Sequence, residues 1–395
     1  MDLPRLGDRS LFPDLGARAY LAHAALSPAS LPVRRALIAA VTDTARRGAG
    51  YFPDSLAQRD RLRRKLSQLM NADEGELALT MNTSQGVTDV ALCLPWRAGD
   101  RVVCLTGEFP ANVTPWQRAA ALFGLELTFV DADRFRTDPT RAWEDLARAT
   151  ERGVRLLAVS AVQFQTGFRM PLGALSAHVH ARGGELFVDA IQALGATPVD
   201  VRADGIDYLA SGSHKFLMGV EGVGVVYAQR ERARTLRPHI AGWLGHSDSF
   251  DFLSRGAGLL RYDKPLRDDA LMLEQGTFNA VGCAALEAAV DLLLALGVEA
   301  IHTHVNGLLD PLEAGLTARG FVSARAAAQG DQSCILSARP PRGEVLAWAK
   351  ALAERGVVVS TPDGHLRFAP HWPNHPAEVS VVLDALDDVA RTLAG

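Results

Sequence analysis

The sequence predicts an α/β fold, a mainly parallel sheet with helices on both faces joined to a smaller α+β C-terminal domain. Three observations carry that expectation. Short apolar runs recur between residues 76 and 227 with helix-like segments between most of them, the pattern changes at about residue 280, and 395 residues suffice for a large core and two domains. Strands that alternate with helices close into a largely parallel sheet buried on both sides.

In chain order, residues 31–47 and 56–70 repeat apolar side chains at helical spacing, and residues 76–80 read as a short strand ahead of Asn82-Thr83-Ser84-Gln85-Gly86. Further strands are expected at 101–105, 125–130, 154–160, 185–188, 208–210 and 224–227. From about residue 280 a helix runs to 296, Ala- and Arg-rich segments follow, and strands are expected at 333–337 and 356–360. The expected division is an N-terminal segment over 1–20, a large domain over 21–280 and a small domain over 281–395, with no fixed-period repeat or low-complexity linker.

Composition narrows the function classes. A net charge of -4 gives no sign of a nucleic-acid partner, and the basic cluster from Arg59 to Lys65 has the spacing of an exposed helix face. The longest apolar stretches are interrupted by Glu287 and Asp291, so no membrane span is expected. Cys93, Cys104, Cys283 and Cys334 stand singly in apolar stretches, which argues against a metal site and against a disulfide framework. The N-terminus lacks a basic region leading into an apolar one, so no signal peptide is expected and the cytoplasm is the expected compartment.

Lys215 carries the chemistry. It ends Asp207-Tyr-Leu-Ala-Ser-Gly-Ser-His-Lys215, 26 positions after Asp189 in Glu185-Leu-Phe-Val-Asp189. Only four of the 41 basic residues are lysines. Where arginine serves most cationic roles, a retained lysine points to chemistry that a guanidinium cannot do. An amine that forms a Schiff base with a cofactor aldehyde, and a buried carboxylate that keeps a pyridinium nitrogen protonated, together read as a pyridoxal 5'-phosphate site. Apolar flanks would desolvate the Lys215 amine and lower its pKa. Asn82-Thr83-Ser84-Gln85-Gly86 opens a helical run, where a phosphate binds well and where a plain N-cap has the same signature. Gly219-Val-Glu-Gly222-Val-Gly224 runs into a strand rather than from a strand into a helix, so a dinucleotide loop is rejected.

Phe187-Val-Asp189-Ala-Ile-Gln192, Asp207-Tyr-Leu, Ser213-His214-Lys215-Phe-Leu and Gly222-Val-Gly224 together resemble the class V aminotransferase superfamily of fold type I pyridoxal phosphate enzymes, over about residues 20–393. That group includes cysteine desulfurases, selenocysteine lyases, isopenicillin epimerase-like proteins and kynureninases. The resemblance implies that Lys215 holds the cofactor, Asp189 pairs with the ring nitrogen, Gln192 bonds the ring hydroxyl, and Thr83, Ser84 and His214 lie at the phosphate. The family's serine three residues before the lysine is Gly212 here, so Ser211 or Ser213 must substitute. Glu274-Gln-Gly-Thr277-Phe-Asn279 resembles the segment that reaches a neighbouring subunit's phosphate, which implies a homodimer with shared sites. Arg367 matches the arginine that grips the substrate α-carboxylate, for which a planar fork is suited.

The chain departs from individual relatives. Phe109, in Glu108-Phe109-Pro-Ala-Asn112, stands where desulfurases carry His; the resemblance implies a residue that can stack on the cofactor ring but cannot move a proton. Kynureninases use Phe there, and Gly242-Trp243-Leu-Gly-His246 resembles their segment, in which Trp243 would donate its indole N–H to the phosphate. Cys334, the only C-terminal cysteine, lies in an expected strand, so a persulfide-forming desulfurase is disfavoured. Kynureninase itself is disfavoured because Gln192 and His214 replace its usual His and Tyr. The expected activity is on a small-molecule α-amino acid or amino-acid conjugate, as a lyase cleaving a β C–S or C–C bond after Cα deprotonation. Transamination ranks second and epimerisation third, with a non-catalytic cofactor-binding scaffold as the remaining alternative.

Overall fold

The computed structural model describes residues 3–393; the outer ends of the expected N-terminal segment and small domain, residues 1–2 and 394–395, lie outside them. The first strand, β1 (Ala19–Tyr20), stands apart from the central sheet. That sheet holds β2 (Leu77–Thr80), β3 (Arg101–Thr106), β4 (Glu126–Asp131), β5 (Leu156–Ser160), β6 (Glu185–Asp189), β7 (Tyr208–Gly212) and β8 (Gly224–Ala228). They lie in the order β2-β8-β7-β6-β5-β3-β4, and β8 alone runs against the other strands.

Every residue of β5, β6, β7 and β8 is buried, which is why these segments read as unbroken apolar runs rather than alternating ones. The carboxyl ends of β3, β5, β6 and β7 and of the edge strand β2 open on one side of the sheet, where open α/β sheets bind ligands. Helices cover both faces, and Trp116 packs edge-on against Phe187 of β6 at 5.0 Å. The expected mostly parallel sheet is therefore the observed one.

The remaining strands are β9 (Val322–Ser323), β10 (Leu336–Arg339), β11 (Val357–Val358) and β12 (Leu366–Phe368). An antiparallel sheet forms in the order β12-β10-β9, while β11 pairs in parallel with β1. The N-terminal segment is thereby built into the C-terminal part: Ala19 pairs with Val357, Ala22 bridges Ala369, and Phe12 packs on Trp372 at 5.5 Å.

Two expectations change. The strand expected at 333–337 forms only from Leu336, because Ser333 donates its hydroxyl to Gly167 O at 2.6 Å and the Cys334 thiol donates to Ala196 O at 3.3 Å. Side-chain bonds to the large sheet's loops replace ladder pairing there. Nor is the basic cluster an exposed face. Arg59 and Arg63, on the helix Phe52–Met70, are buried on the Glu274 carboxylate, which also accepts from Leu79 N at 2.8 Å. Arg61 and Lys65 both reach Glu287 on the helix Ala280–Leu296.

Candidate active site

Segments at or just past five strand ends, together with segments near both ends of the chain, surround a cavity of about 530 Å³. Its wall includes Thr83, Ser84, Phe109, Asp189, Gln192, His214, Lys215 and Arg367. Asp189 ends β6, and Lys215 follows β7 by three residues. Thr83 and Ser84 open the helix Thr83–Cys93, whose first turn is fixed by Asn82 accepting from Gln85 N at 2.9 Å. The free amides and dipole of that helix end favour an anion.

The charges at the floor shift each other and are shifted by burial. Burial drives the Lys215 amine down to about 8, against the attraction of Asp189 and with help from the Arg367 charge. Burial drives the Asp189 carboxyl up, and the Glu108 charge adds to the effect; among the described residues the carboxyl accepts one hydrogen bond, from Ile191 N at 3.0 Å. Arg367, only 5% exposed, donates Nε to Ser360 Oγ at 2.9 Å and Nη1 to Phe164 O at 2.7 Å, and burial lowers it to about 10. Among the described residues it has no carboxylate partner, so this buried cation is complementary to an anion.

Phe109 lies with its ring centroid 5.6 Å from Lys215 Nζ and meets Phe164 edge-on at 5.4 Å. Its turn is anchored by Glu108, a buried carboxylate that accepts from Ser160 N at 2.7 Å and Gln163 Nε2 at 3.0 Å and also from Ser160 Oγ. Glu108 has no functional signature in the sequence, and only its burial beneath Phe109 reveals its part.

The backbone of Lys215 is held from the chain ends. Ser27 N donates to His214 O at 2.8 Å, Ser27 Oγ donates to Lys215 O at 2.7 Å, and His371 Nε2 donates to Phe216 O at 2.9 Å. His23 bonds Ser27 Oγ through Nδ1 at 2.8 Å and meets His371 edge-on at 5.4 Å. Three consecutive carbonyls around the lysine are thus fixed by residues some 150 or more positions away in the chain. No local pattern could have found them.

Four residues expected at the cofactor lie elsewhere in a single chain. Ser213 is buried with its hydroxyl donated to Val220 O, because residues 213–223 close on themselves through Ser213 N to Val223 O and Gly219 N to Ser213 O. Ser211 does not replace it; its hydroxyl donates to Gly212 O at 3.1 Å. Trp243 packs against Phe250 at 5.1 Å outside the cavity. Thr277 and Asn279 line a different cavity, where Asn279 caps the helix Ala280–Leu296 by accepting from Gly282 N at 2.8 Å.

The wall fits pyridoxal phosphate. Thr83 Oγ1 and Gln192 Oε1 are buried without a hydrogen-bond partner, a costly condition that a bound polar group would relieve. Gln192 Nε2 is already given to Ala24 O at 3.1 Å, which leaves Oε1 to accept. Asp189, desolvated and, among the described residues, bonded only to a backbone amide, is complementary to a cationic ring nitrogen.

Comparison with known proteins agrees. The family model described as Aminotransferase class-V matches residues 40–375. An uncharacterized aminotransferase, YcbU, of Bacillus subtilis is 27% identical over 98% of this chain and 97% of its own length. A probable cysteine desulfurase of Methanothermobacter thermautotrophicus is 31% identical over 76% of this chain and 73% of its own. A solved complex of the cystine C-S lyase C-DES with cysteine persulfide superposes with a TM-score of 0.85 at 22% identity, covering 95% of this chain and 99% of that one, a likeness of fold. The chain belongs to the class-V aminotransferase family and is a pyridoxal phosphate-dependent enzyme.

Proposed function

We propose that the enzyme is a lyase that cleaves a β C–S or C–C bond of an α-amino acid or amino-acid conjugate. The observation that carries this reading is a cavity with one amine base, Lys215, one guanidinium without a carboxylate partner among the described residues, Arg367, and no thiol in its wall. All four cysteines are buried elsewhere; burial pushes the Cys334 thiol up to about 12, the wrong direction for a nucleophile. Relatives are named cysteine desulfurases, and one structural neighbour is a cystine C-S lyase. This chain fits elimination without a persulfide carried on its own cysteine.

Bound pyridoxal phosphate would supply an electron-accepting ring that stabilises charge developing at the substrate Cα. Lys215 would hold the cofactor aldehyde and, once released, move the Cα proton; an amine near 8 is suited to both directions at neutral pH. Asp189 would keep the ring nitrogen protonated, and Gln192 Oε1 would accept from the ring hydroxyl. Thr83, Ser84 and the helix end would take the phosphate, with His214 beside it. Phe109 would cover the ring and Arg367 would fix the α-carboxylate. We further propose a homodimer in which Trp243, Thr277 and Asn279 serve the partner's site, since each lies outside the Lys215 cavity of its own chain.

The test is to incubate holoenzyme with S-substituted cysteines and β-substituted amino acids and to assay pyruvate, ammonia and released thiol. The reading expects all three from at least one S-conjugate with the protein mass unchanged. A keto acid with aminated cofactor would make it a transaminase, racemised substrate an epimerase, and added sulfur on Cys334 a desulfurase.

A further inference from the structure

We propose that a second cavity beside the Lys215 site receives the far end of the substrate side chain and selects one that ends in a zwitterion, a carboxylate together with an ammonium group. The proposal rests on the reading of the Lys215 cavity as an amino-acid site.

The second cavity measures about 380 Å³ and shares two walls with the first. Along one wall, Phe164 lines the Lys215 cavity while Gln163 and Gln165 line the second; along the other, Thr361 and Pro362 line the first while Asp363 and His365 line the second. The two walls are joined by a side-chain to side-chain hydrogen bond, from Gln165 Nε2 to Asp363 Oδ2 at 2.8 Å, and by Arg367 Nη1 donating to Phe164 O at 2.7 Å. Gly167 at the end of the first wall has φ +78, and an added Cβ would stand 2.5 Å from Ile335 O, so this wall is pressed against the C-terminal part. A side chain whose α-carboxylate lies on Arg367 has this partition as its neighbour.

The charges of the second cavity define what would occupy it. Arg136 is bidentate on Asp133, at 2.9 and 3.0 Å, and Asp131 has Arg134 at 3.5 Å. Two lining charges remain without an opposite partner among the described residues, Arg339 and Asp363. Arg339 donates Nε to His365 Nε2 at 3.2 Å, and His365 Nδ1 donates to Asp363 O at 3.1 Å. His365 is thereby a neutral spacer with both nitrogens engaged, holding a free guanidinium fork on one side and the Asp363 turn on the other. Asp363 adopts φ 42, an uncommon value for a residue other than glycine, and the His365 bond braces it there. A carboxylate matches the Arg339 fork. An ammonium matches Asp363, where it would take the place of Gln165 as donor and part the two walls.

Binding rather than turnover tests this, because ligands without a β leaving group read the second cavity whatever bond the enzyme breaks. Absorbance titrations of holoenzyme would compare 2-aminooctanoate, 2-aminosuberate and 2,7-diaminosuberate, whose tails end in a methyl group, a carboxylate and a zwitterion. The expected order is 2,7-diaminosuberate tightest, by about 10-fold or more over the methyl-ended ligand. Arg339→Ala should remove that advantage and Asp363→Asn should reduce 2,7-diaminosuberate to the level of 2-aminosuberate, each leaving 2-aminooctanoate unchanged. Equal affinity for all three tails, a preference for 2-aminosuberate, or an equal loss on every ligand in the variants would overturn the proposal. If none of the three perturbs the cofactor spectrum, the amino-acid reading of the Lys215 cavity falls, and the second-cavity proposal falls with it.

Discussion

The two halves of the Lys215 cavity are built on different principles. One half is the rim of the central sheet, where Asp189 ends β6, Lys215 follows β7 and Thr83 follows β2. The other is assembled from the two ends of the chain, with Ala24 and Ala25 from one and Thr361, Pro362 and Arg367 from the other. The rim carries the groups that would hold the cofactor. The chain ends hold the lysine's backbone and carry Arg367, which in the proposed reading would take the substrate carboxylate. Chemistry and positioning are therefore separable, and variants in the two halves should fail in different ways.

The largest effect belongs to the rim. Lys215→Ala should lower turnover by about 10³-fold or more, since a positioned acid–base group contributes about 10²- to 10⁴-fold and in the proposed reading this amine would also anchor the cofactor. Steady-state kinetics with matched cofactor loading measures it. A loss under tenfold would move the base elsewhere.

Arg367 should fail by binding. Arg367→Ala should raise KM for the amino acid about 10- to 100-fold with a smaller change in kcat, as expected for loss of a charge-assisted bond worth about 1.5–3 kcal/mol. Arg367→Lys should recover little, because a point charge does not reproduce a fork held by Ser360 and Phe164 O. Recovery to wild-type KM by lysine would contradict the assignment.

Acid should loosen the chain-end half. His371, fully buried and neutral, is lowered to about 4, and burial takes His23 well below its usual value. A folded-state pKa below the unfolded value of about 6.5 means stability that is full above that pH and lost as pH falls through the window toward 4. His371 alone should account for up to about 3 kcal/mol of that loss. Melting temperatures across pH 7 to 4.5 should show the decline, and His371→Asn should flatten it.

Ser27→Ala gives the smallest effect, about 1 kcal/mol of stability and a few-fold in kcat, with KM for substrate retained. Its hydroxyl touches Lys215 O and His23, and Ser27 does not line the cavity. A KM change larger than the kcat change would merge the two halves.

The same division explains what the sequence disclosed. Strand runs at 101–105 and 185–188 were legible because burial on both faces leaves apolar stretches, and Asp189, Lys215 and Thr83 were legible because each sits at or just past the end of such a run, whereas the part given to Gln192 came from resemblance alone. Arg367 was visible only through resemblance, since one arginine among many has no local signature. Ser27, His23, His371 and Glu108 were not legible, because their meaning is a contact and not a pattern. Ser213 misled because its position in the chain is near the cofactor while loop closure turns it away. The Arg59 to Lys65 cluster misled because its partner, Glu274, is more than 200 positions distant.

The most direct test of the account is borohydride reduction of the coloured holoenzyme followed by peptide mapping. The visible band should be lost, and the reduced cofactor should be found on Lys215 and on no other lysine. A protein that stays colourless with added pyridoxal phosphate, or a label on Lys65, Lys264 or Lys350, would contradict it.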